Sequence, residues 1–425
     1  MIPGSQIVLT LLQMKNFTLR GAAAAATAGL LVLAACQKNN SDEVAPASVQ
    51  NGDLIEGSYI VKYRGESLPS ARRSHSGDYL QEVKAMETYT QSYLRRVGVE
   101  VAADEITQTY VGDFAGFAAR LSGTEANRLR SRPEVEYVEQ DRVWTLDFPD
   151  DVSIESEVQS VGVQNTQAAP WGITRVGGPV DMSTSSKRAW VIDTGIDTDH
   201  PDLNVDVPKS KEFVTFGRGS RTVEDGNGHG THVAGTIGAK NNTVGVVGVA
   251  AGVKVVGVKV LSDGGSGSTS DIVAGCNYVA NNGVAGDVAN LSLGGGVSTA
   301  MDDAVRNIAS KGIFTCLAAG NSAANANNSS PARANATNLF TVSAFAEGNG
   351  FASFSNFGNP PIDISEPGVN IRSTYSSGRY ATLSGTSMAS PHAAGILLVR
   401  GDGTFGNGGT VTGDKDSTPD IIGTL

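Results

Sequence analysis

The hydrophobic rhythm of the chain changes several times, and each change predicts an element. Ser58-Tyr59-Ile60-Val61-Lys62-Tyr63 alternates with a period of two, as a half-buried strand does. Leu80, Val83, Met86, Leu94 and Val97 fall near helical spacing. Phe114–Leu121 reads as another strand, Ser122 and Thr124 are placed to cap a helix through Arg130, and Pro133 stops it. Val135–Glu139 completes a β-α-β-β-α-β order, a ferredoxin-like split unit. From Pro170 the rhythm is different. Arg188–Asp193, Val253–Val260, Val288–Leu293, Ile313–Ala319 and Leu339–Ala344 are short apolar, β-branched runs without a polar face. Thr231–Ala239, Thr269–Asn281 and Thr299–Lys311 lie between them as helices. Such a sequence predicts the α/β class, with a mostly parallel, doubly wound sheet covered on both faces. A small α+β domain precedes it. Sites in such sheets lie at the carboxyl ends of strands, where Asp193 falls and just past which Asn321 falls.

Composition narrows the class. The chain has 425 residues, enough for more than one domain, and its 52 glycines with only 18% charged residues fit tight turns and close packing rather than disorder. A net charge of −11 argues against nucleic acid as a partner. Lys15 and Arg20 precede an apolar run, Ala22–Ala35, that is too short to span a membrane comfortably. Charge, short apolar core and small residues make a secretory signal, so an extracytoplasmic location is expected. Met1 and Met14 are both candidate starts. Residues 37–56 form a polar tether, 57–146 the small domain, 147–169 an acidic-to-polar linker open to proteolysis, and 170–425 the large domain. Gly401–Gly413 is glycine-rich, and loop followed by a final strand is expected after it. Cys276 and Cys316 are read as buried thiols, and a disulfide between them depends on geometry that sequence does not give.

Three stretches carry candidate chemistry. Gly385-Thr386-Ser387-Met388-Ala389-Ser390-Pro391-His392 is a tight turn entering a helix, with a serine in the first turn. Free N–H groups and a partial positive charge there stabilise an anion beside that serine. Ala189–Asp197 is a buried strand that reaches a carboxylate, Asp193. Asp225-Gly226-Asn227-Gly228-His229-Gly230-Thr231-His232 sets a histidine among glycines at a helix start. A serine hydroxyl needs a base to act as a nucleophile, and His229 is the candidate. Asp193 would fix its tautomer and stabilise the imidazolium. The rivals are His75 in the small domain, His200 beside Pro201, His232 one turn on, and His392 after the serine.

Together these stretches resemble the three signature motifs of the subtilases, in the order Asp, His, Ser. The resemblance covers roughly 168–399 and implies a serine endopeptidase acting on polypeptides through an acyl-enzyme, with catalytic Asp193, His229 and Ser387. Ala318-Ala319-Gly320-Asn321-Ser322 resembles the family's oxyanion segment, which gives Asn321 the role of side-chain donor. Gly265-Ser266-Gly267 and Ser292-Leu293-Gly294 resemble the two segments that flank a bound peptide, and Ala318–Gly320 resembles an apolar wall of the first side-chain pocket. Residues 57–146 resemble the family's inhibitory propeptide, whose tail, here Glu139–Leu146, occupies the cleft until cleavage between Trp144 and Ala169. Ala169-Pro170-Trp171-Gly172-Ile173 and Ser355-Asn356-Phe357-Gly358 are similar to the proteinase K-like subgroup, although Val233 stands where that subgroup often has cysteine. Leu33-Ala34-Ala35-Cys36 resembles a bacterial lipoprotein box, which implies lipid on Cys36 and no other membrane association. The chemistry implies no cofactor. Asp363, with the carbonyls of Thr337 and Leu339, aligns roughly with a calcium site of some relatives, which leaves a structural calcium and a plain surface Asp as the two readings and the metal unknown; a monomer is expected. A binding module that keeps the fold, and an esterase using the same residues, are the competing readings.

Overall fold

The computed structural model describes residues 50–68, 78–147, 153–154, 167–215, 217, 219 and 221–425. The lipoprotein-like box, His75 and most of the predicted linker lie outside these residues.

The small domain has the predicted order: β1 (Leu54–Tyr63), α1 (Tyr79–Arg96), β2 (Ile106–Tyr110), β3 (Gly116–Arg120), α2 (Gly123–Arg130) and β4 (Val135–Thr145). Alternation along its strands gives the sheet two apolar faces. Val61, Phe117 and Ala119 pack under the domain's own helices with Met86, Leu94 and Leu129. Their neighbours Ile60 and Ala118 face the other way, into a core shared with the large domain. Ser122 caps α2 as expected, with Glu125 completing a capping box, whereas Thr124 lies inside the helix.

The large domain contains β5 (Arg188–Asp193), β6 (Lys211–Glu212), α3 (His229–Gly238), β7 (Lys254–Lys259), β8 (Ser266–Ser268), α4 (Thr269–Asn282), β9 (Val288–Leu291), α5 (Thr299–Ser310), β10 (Phe314–Ala318), β11 (Leu339–Phe345), β12 (Ile362–Pro367), β13 (Ile371–Tyr375), β14 (Arg379–Leu383), α6 (Thr386–Arg400), β15 (Gly406–Thr410) and β16 (Ile421–Thr424). Nine strands form one sheet in the order β15-β16-β12-β11-β10-β9-β5-β7-β6. All its pairs are parallel except β15 with β16. One face carries α4 and α5 over Trp190, Ile192 and Val258. The other carries α3 and α6 over Ala189, Val191 and Val255. Burial on both sides is why these strands read as unbroken apolar runs.

Two local differences from the sequence reading have physical causes. The helix expected from Thr231 starts at His229, because Gly228 turns the chain with φ +108° just before it. The chain end holds two strands rather than one, and Ile422 of β16 pairs with Ser365 at the sheet edge. Glycine spacing hides β15, which pairs only with β16.

Candidate active site

The site collects at the carboxyl end of the sheet. Asp193 is the last residue of β5, and His229 is the first of α3. Both are buried, and His229 Nδ1 lies 2.8 Å from Asp193 Oδ1. That contact leaves Nε2 as the nitrogen for exchange with a substrate-side partner. Ser387 is the second residue of α6, after Gly385 at φ +151°. Its position leaves its N–H without a partner inside the helix. Ser387 Oγ donates to the Ser292 carbonyl at 3.2 Å, and Ser292 Oγ donates to the Ser387 carbonyl at 2.8 Å. Helices α3 and α6 pack side by side.

Asn321 is oriented by the Thr386 N–H, a group that can only donate. Its Oδ1 accepts the Thr386 N–H and hydroxyl, each at 2.9 Å. The amide nitrogen must then face the cleft, where Nδ2 donates to the carbonyl of Asp147 at 2.9 Å. Asp147 follows the end of β4, so the small domain's own tail fills the site. Upstream, the Leu146 N–H donates to Gly265 O at 2.9 Å, and β4 pairs antiparallel with β8, Thr145 opposite Ser266 and Trp144 opposite Gly267. Trp144 is buried, its indole N–H reaches Thr269 Oγ1 at 2.9 Å, and a Cβ on Gly295 would lie 2.9 Å from its ring. Downstream, Ser153 and Ile154 pair antiparallel with β14, the strand that leads into α6. On the opposite edge, Asn51 Nδ2 donates to Gly294 O at 3.1 Å. A cavity of about 240 Å³ beside Asp147 has the expected small wall of Ala318 and Gly320 beside Leu293, and the amides of Asn321, Asn325 and Asn328 add polar groups to it.

Three of the rival histidines have structural engagements. His232 Nε2 lies 3.0 Å from Ile371 O, and burial lowers its pKa to about 3. His392 Nδ1 lies 2.8 Å from Met388 O, and burial lowers its pKa to about 4. Burial also lowers that of His200, whose Nδ1 accepts the Asp202 N–H. Neutral rings tied to backbone groups are poor candidates for proton transfer. Cys276 and Cys316 are separate buried thiols.

Among the described residues no group of three or more His, Cys, Asp or Glu side chains comes together to hold a metal. Asp363 accepts the Thr341 N–H at 2.8 Å, and burial raises its pKa to about 6. A better oxygen set lies elsewhere. The Gln167 amide nitrogen points at Lys240 O, Val246 O and Asn242 Oδ1, at 2.6, 2.9 and 3.3 Å. Asn242 Nδ2 in turn holds Asp202 Oδ1 at 2.7 Å. Neutral oxygens with one carboxylate are the donors a hard cation takes. Sequence reading missed this cradle, because the chain segments that form it carry no shared motif.

Comparison with known proteins agrees with this geometry. Residues 190–400 match the model of the subtilase family, and residues 58–147 match that of peptidase inhibitor I9. The chain is 36% identical to a subtilisin-like serine protease, AsES, of Sarocladium strictum, over 86% of each chain. It is 34% identical to proteinase R of Parengyodontium album, over 86% of this chain and 85% of that one. Among solved structures it resembles a cold adapted subtilisin-like serine proteinase with a TM-score of 0.53 and 37% identity, over 60% of this chain and 98% of the other.

Proposed function

The chain belongs to the subtilase family and is a subtilisin-like serine endopeptidase made with an inhibitory propeptide; from that premise we propose that it cuts itself between Asp147 and Phe148, using Ser387, His229, Asp193 and Asn321. The observation that carries the proposal is the Asp147 carbonyl on the Asn321 amide. A carbonyl held by the donor meant for a developing oxyanion belongs to the bond that is attacked. Ser387 Oγ adds to that carbon, and its proton passes to His229 Nε2. The tetrahedral oxyanion is held by Asn321 Nδ2 and the Ser387 N–H. Collapse breaks the bond to Phe148, whose amine takes the proton from His229, and leaves an acyl-enzyme on Asp147. Water, deprotonated by His229, then releases the acid. Asp193 stays ionised and holds the imidazolium.

Other polypeptides would bind as Val143–Leu146 does, as a strand added to Ser266–Ser268, with Gly265 and the Ser292–Gly294 segment on either side. Main-chain pairing demands little of sequence, which supports broad specificity. The signal-like N-terminus supports an extracytoplasmic enzyme whose lipid, on Cys36, stays with the propeptide after cleavage. The Gln167–Asp202–Asn242 cradle supports a structural calcium, which would brace the loop at 240–246 away from the chemistry.

One preparation tests these readings. Wild type and Ser387→Ala are incubated after purification, with and without a chelator, and separated into membrane and soluble fractions. Wild type should yield a soluble catalytic chain starting at Phe148, while Ser387→Ala stays whole. Chelation should lower the melting temperature of both. A mature N-terminus elsewhere sinks the proposed bond. Equal cutting of both proteins sinks self-processing. A catalytic chain that remains with the membrane after a high-salt wash sinks the release of the enzyme from its anchor.

A further inference from the structure

The His motif begins with an aspartate to which the mechanism gives no task. Asp225 is 5% exposed and lies four residues before His229. Its Oδ1 accepts the N–H groups of Asn227 and Gly228, at 3.1 and 2.8 Å, and its Oδ2 accepts the N–H and hydroxyl of Thr231, at 2.9 and 2.6 Å. These donors form the turn into α3, so the carboxylate fixes how the helix begins and complements its positive end. A fifth donor comes from another segment. Thr194 Oγ1 donates to Asp225 Oδ1 at 2.8 Å and accepts the Gly230 N–H at 3.0 Å.

Thr194 follows Asp193, and its own N–H donates at 2.7 Å to Asp193 Oδ1, the oxygen that meets His229 Nδ1. The hydrogen bonds therefore close a ring from Asp193 through Thr194, Asp225 and the first turn of α3 to His229 and back to Asp193. Lys259, buried in the neighbouring strand, donates to the Thr194 carbonyl and holds the ring from the other side. Five donors are more than the roughly four lone-pair sites of a carboxylate, so none is left over. An amide in the same place would turn its NH₂ toward some of them.

We propose that Asp225, acting through Thr194, is a positioning residue for the Asp193–His229 pair. This rests on the proposed roles of those two residues. Asp225 does not touch substrate. It sets the distance and angle at which the imidazole meets its carboxylate, and hence where Nε2 points. A misplacement of about 1 Å in such a pair can cost on the order of 10²-fold in rate.

The test uses three substitutions in the self-processed mature enzyme. Asp225→Asn and Thr194→Val should each lower kcat by about 10- to 100-fold and leave KM within about twofold, because substrate pairing lies on other segments. Thr194→Ser, which keeps the hydroxyl, should recover most of the rate. Proton NMR of the intact Ser387→Ala chain gives a second readout: the low-field Nδ1 proton of His229 should shift or broaden when Asp225→Asn is added, while the remaining spectrum is retained. This readout holds even where a variant is too slow to process itself. The proposal is overturned by an unchanged kcat in either loss variant, by KM rising while kcat holds, or by an unmoved Nδ1 proton. Should Ser387→Ala itself be processed normally, the proposed roles of the triad fail first, and the NMR result still reports on the ring.

Discussion

Asp225 and Asp141 are both buried acids at the start of a helix, and the contrast between them separates what is permanent in this molecule from what is temporary. Asp225 takes all five of its donors from the large domain, on either side of His229. Asp141 belongs to the small domain. It accepts from Arg142 and Ser58 of its own domain, and from the N–H and hydroxyl of Ser270 in the first turn of α4. Glu139 repeats the device at α5, where its Oε2 accepts the Ala300 N–H at 3.0 Å. One chemistry therefore serves two ends. Inside the large domain it fixes catalytic geometry. Across the interface it guides the tail into the cleft by completing helix starts that would otherwise face water, where they are satisfied at little cost. The second use is reversible because water can replace the propeptide.

The strongest way to break the temporary half is to remove its anchor. Trp144→Ala should weaken inhibition of the mature enzyme by added propeptide by about 3 kcal/mol, on the order of 10²-fold, because it empties a pocket that the indole fills and hydrogen-bonds. An inhibition constant within twofold of wild type would show that the helix-start acids carry the affinity instead.

A smaller effect comes from pH. Burial raises the pKa of Asp141 above its ordinary 3.8, and burial raises that of Asp271, which holds Gln108 of the small domain, to about 6. An acid whose pKa is raised in the complex binds its proton more tightly there than in the separated domains, the free propeptide for Asp141 and the free enzyme for Asp271. Inhibition should then be strongest below pH 3.8 and weaken as pH rises toward 6, by up to about tenfold per pH unit for each acid that must give up its proton. Titration of the inhibition constant across this range checks it, and Asp141→Asn should flatten the slope. An inhibition constant that improves with rising pH would reverse the assignment.

The smallest effect sharpens the comparison from inside the large domain. Glu366 is fully buried beside Gly423, and neither of its carboxyl oxygens has a hydrogen-bond partner. Burial raises its pKa well above 4.5, so it is held neutral where the unfolded chain would ionise. The stability it contributes is fully present below pH 4.5 and is lost as pH rises toward the folded value. Glu366→Gln should raise the melting temperature at pH 8 by roughly 2–4 °C for each kcal/mol regained, and change it little at pH 4. Equal shifts at both pH values would point to repacking instead.

The central strands and the four long helices of the large domain were legible because burial on both faces selects β-branched runs and helix starts leave letters behind. Ile362–Pro367, Ile371–Tyr375 and Arg379–Leu383 were not, since charged residues, serine and threonine break up their apolar runs, even though the last two pair with each other as neighbours in the chain. The candidate residues at the site were visible as types and spacings. Their orientation was not: Thr386 turns the Asn321 amide from 65 positions away, and Thr194 reaches Asp225 across 31. The small domain's order was legible too, but the sequence indicated only a window for the cut. The bond proposed within it rests on the register of β4 on Ser266–Ser268 and on the Asp147 carbonyl that Asn321 holds.

By itself, then, the sequence determined the two folds, the chemistry available and the order in which the domains meet, because local pattern and side-chain type are properties of short segments. Tertiary structure alone decided which carbonyl meets the oxyanion donor, which oxygen faces the imidazole and which acids cross the interface. Those depend on distances between segments tens or hundreds of residues apart, which only the packed chain brings within hydrogen-bond reach.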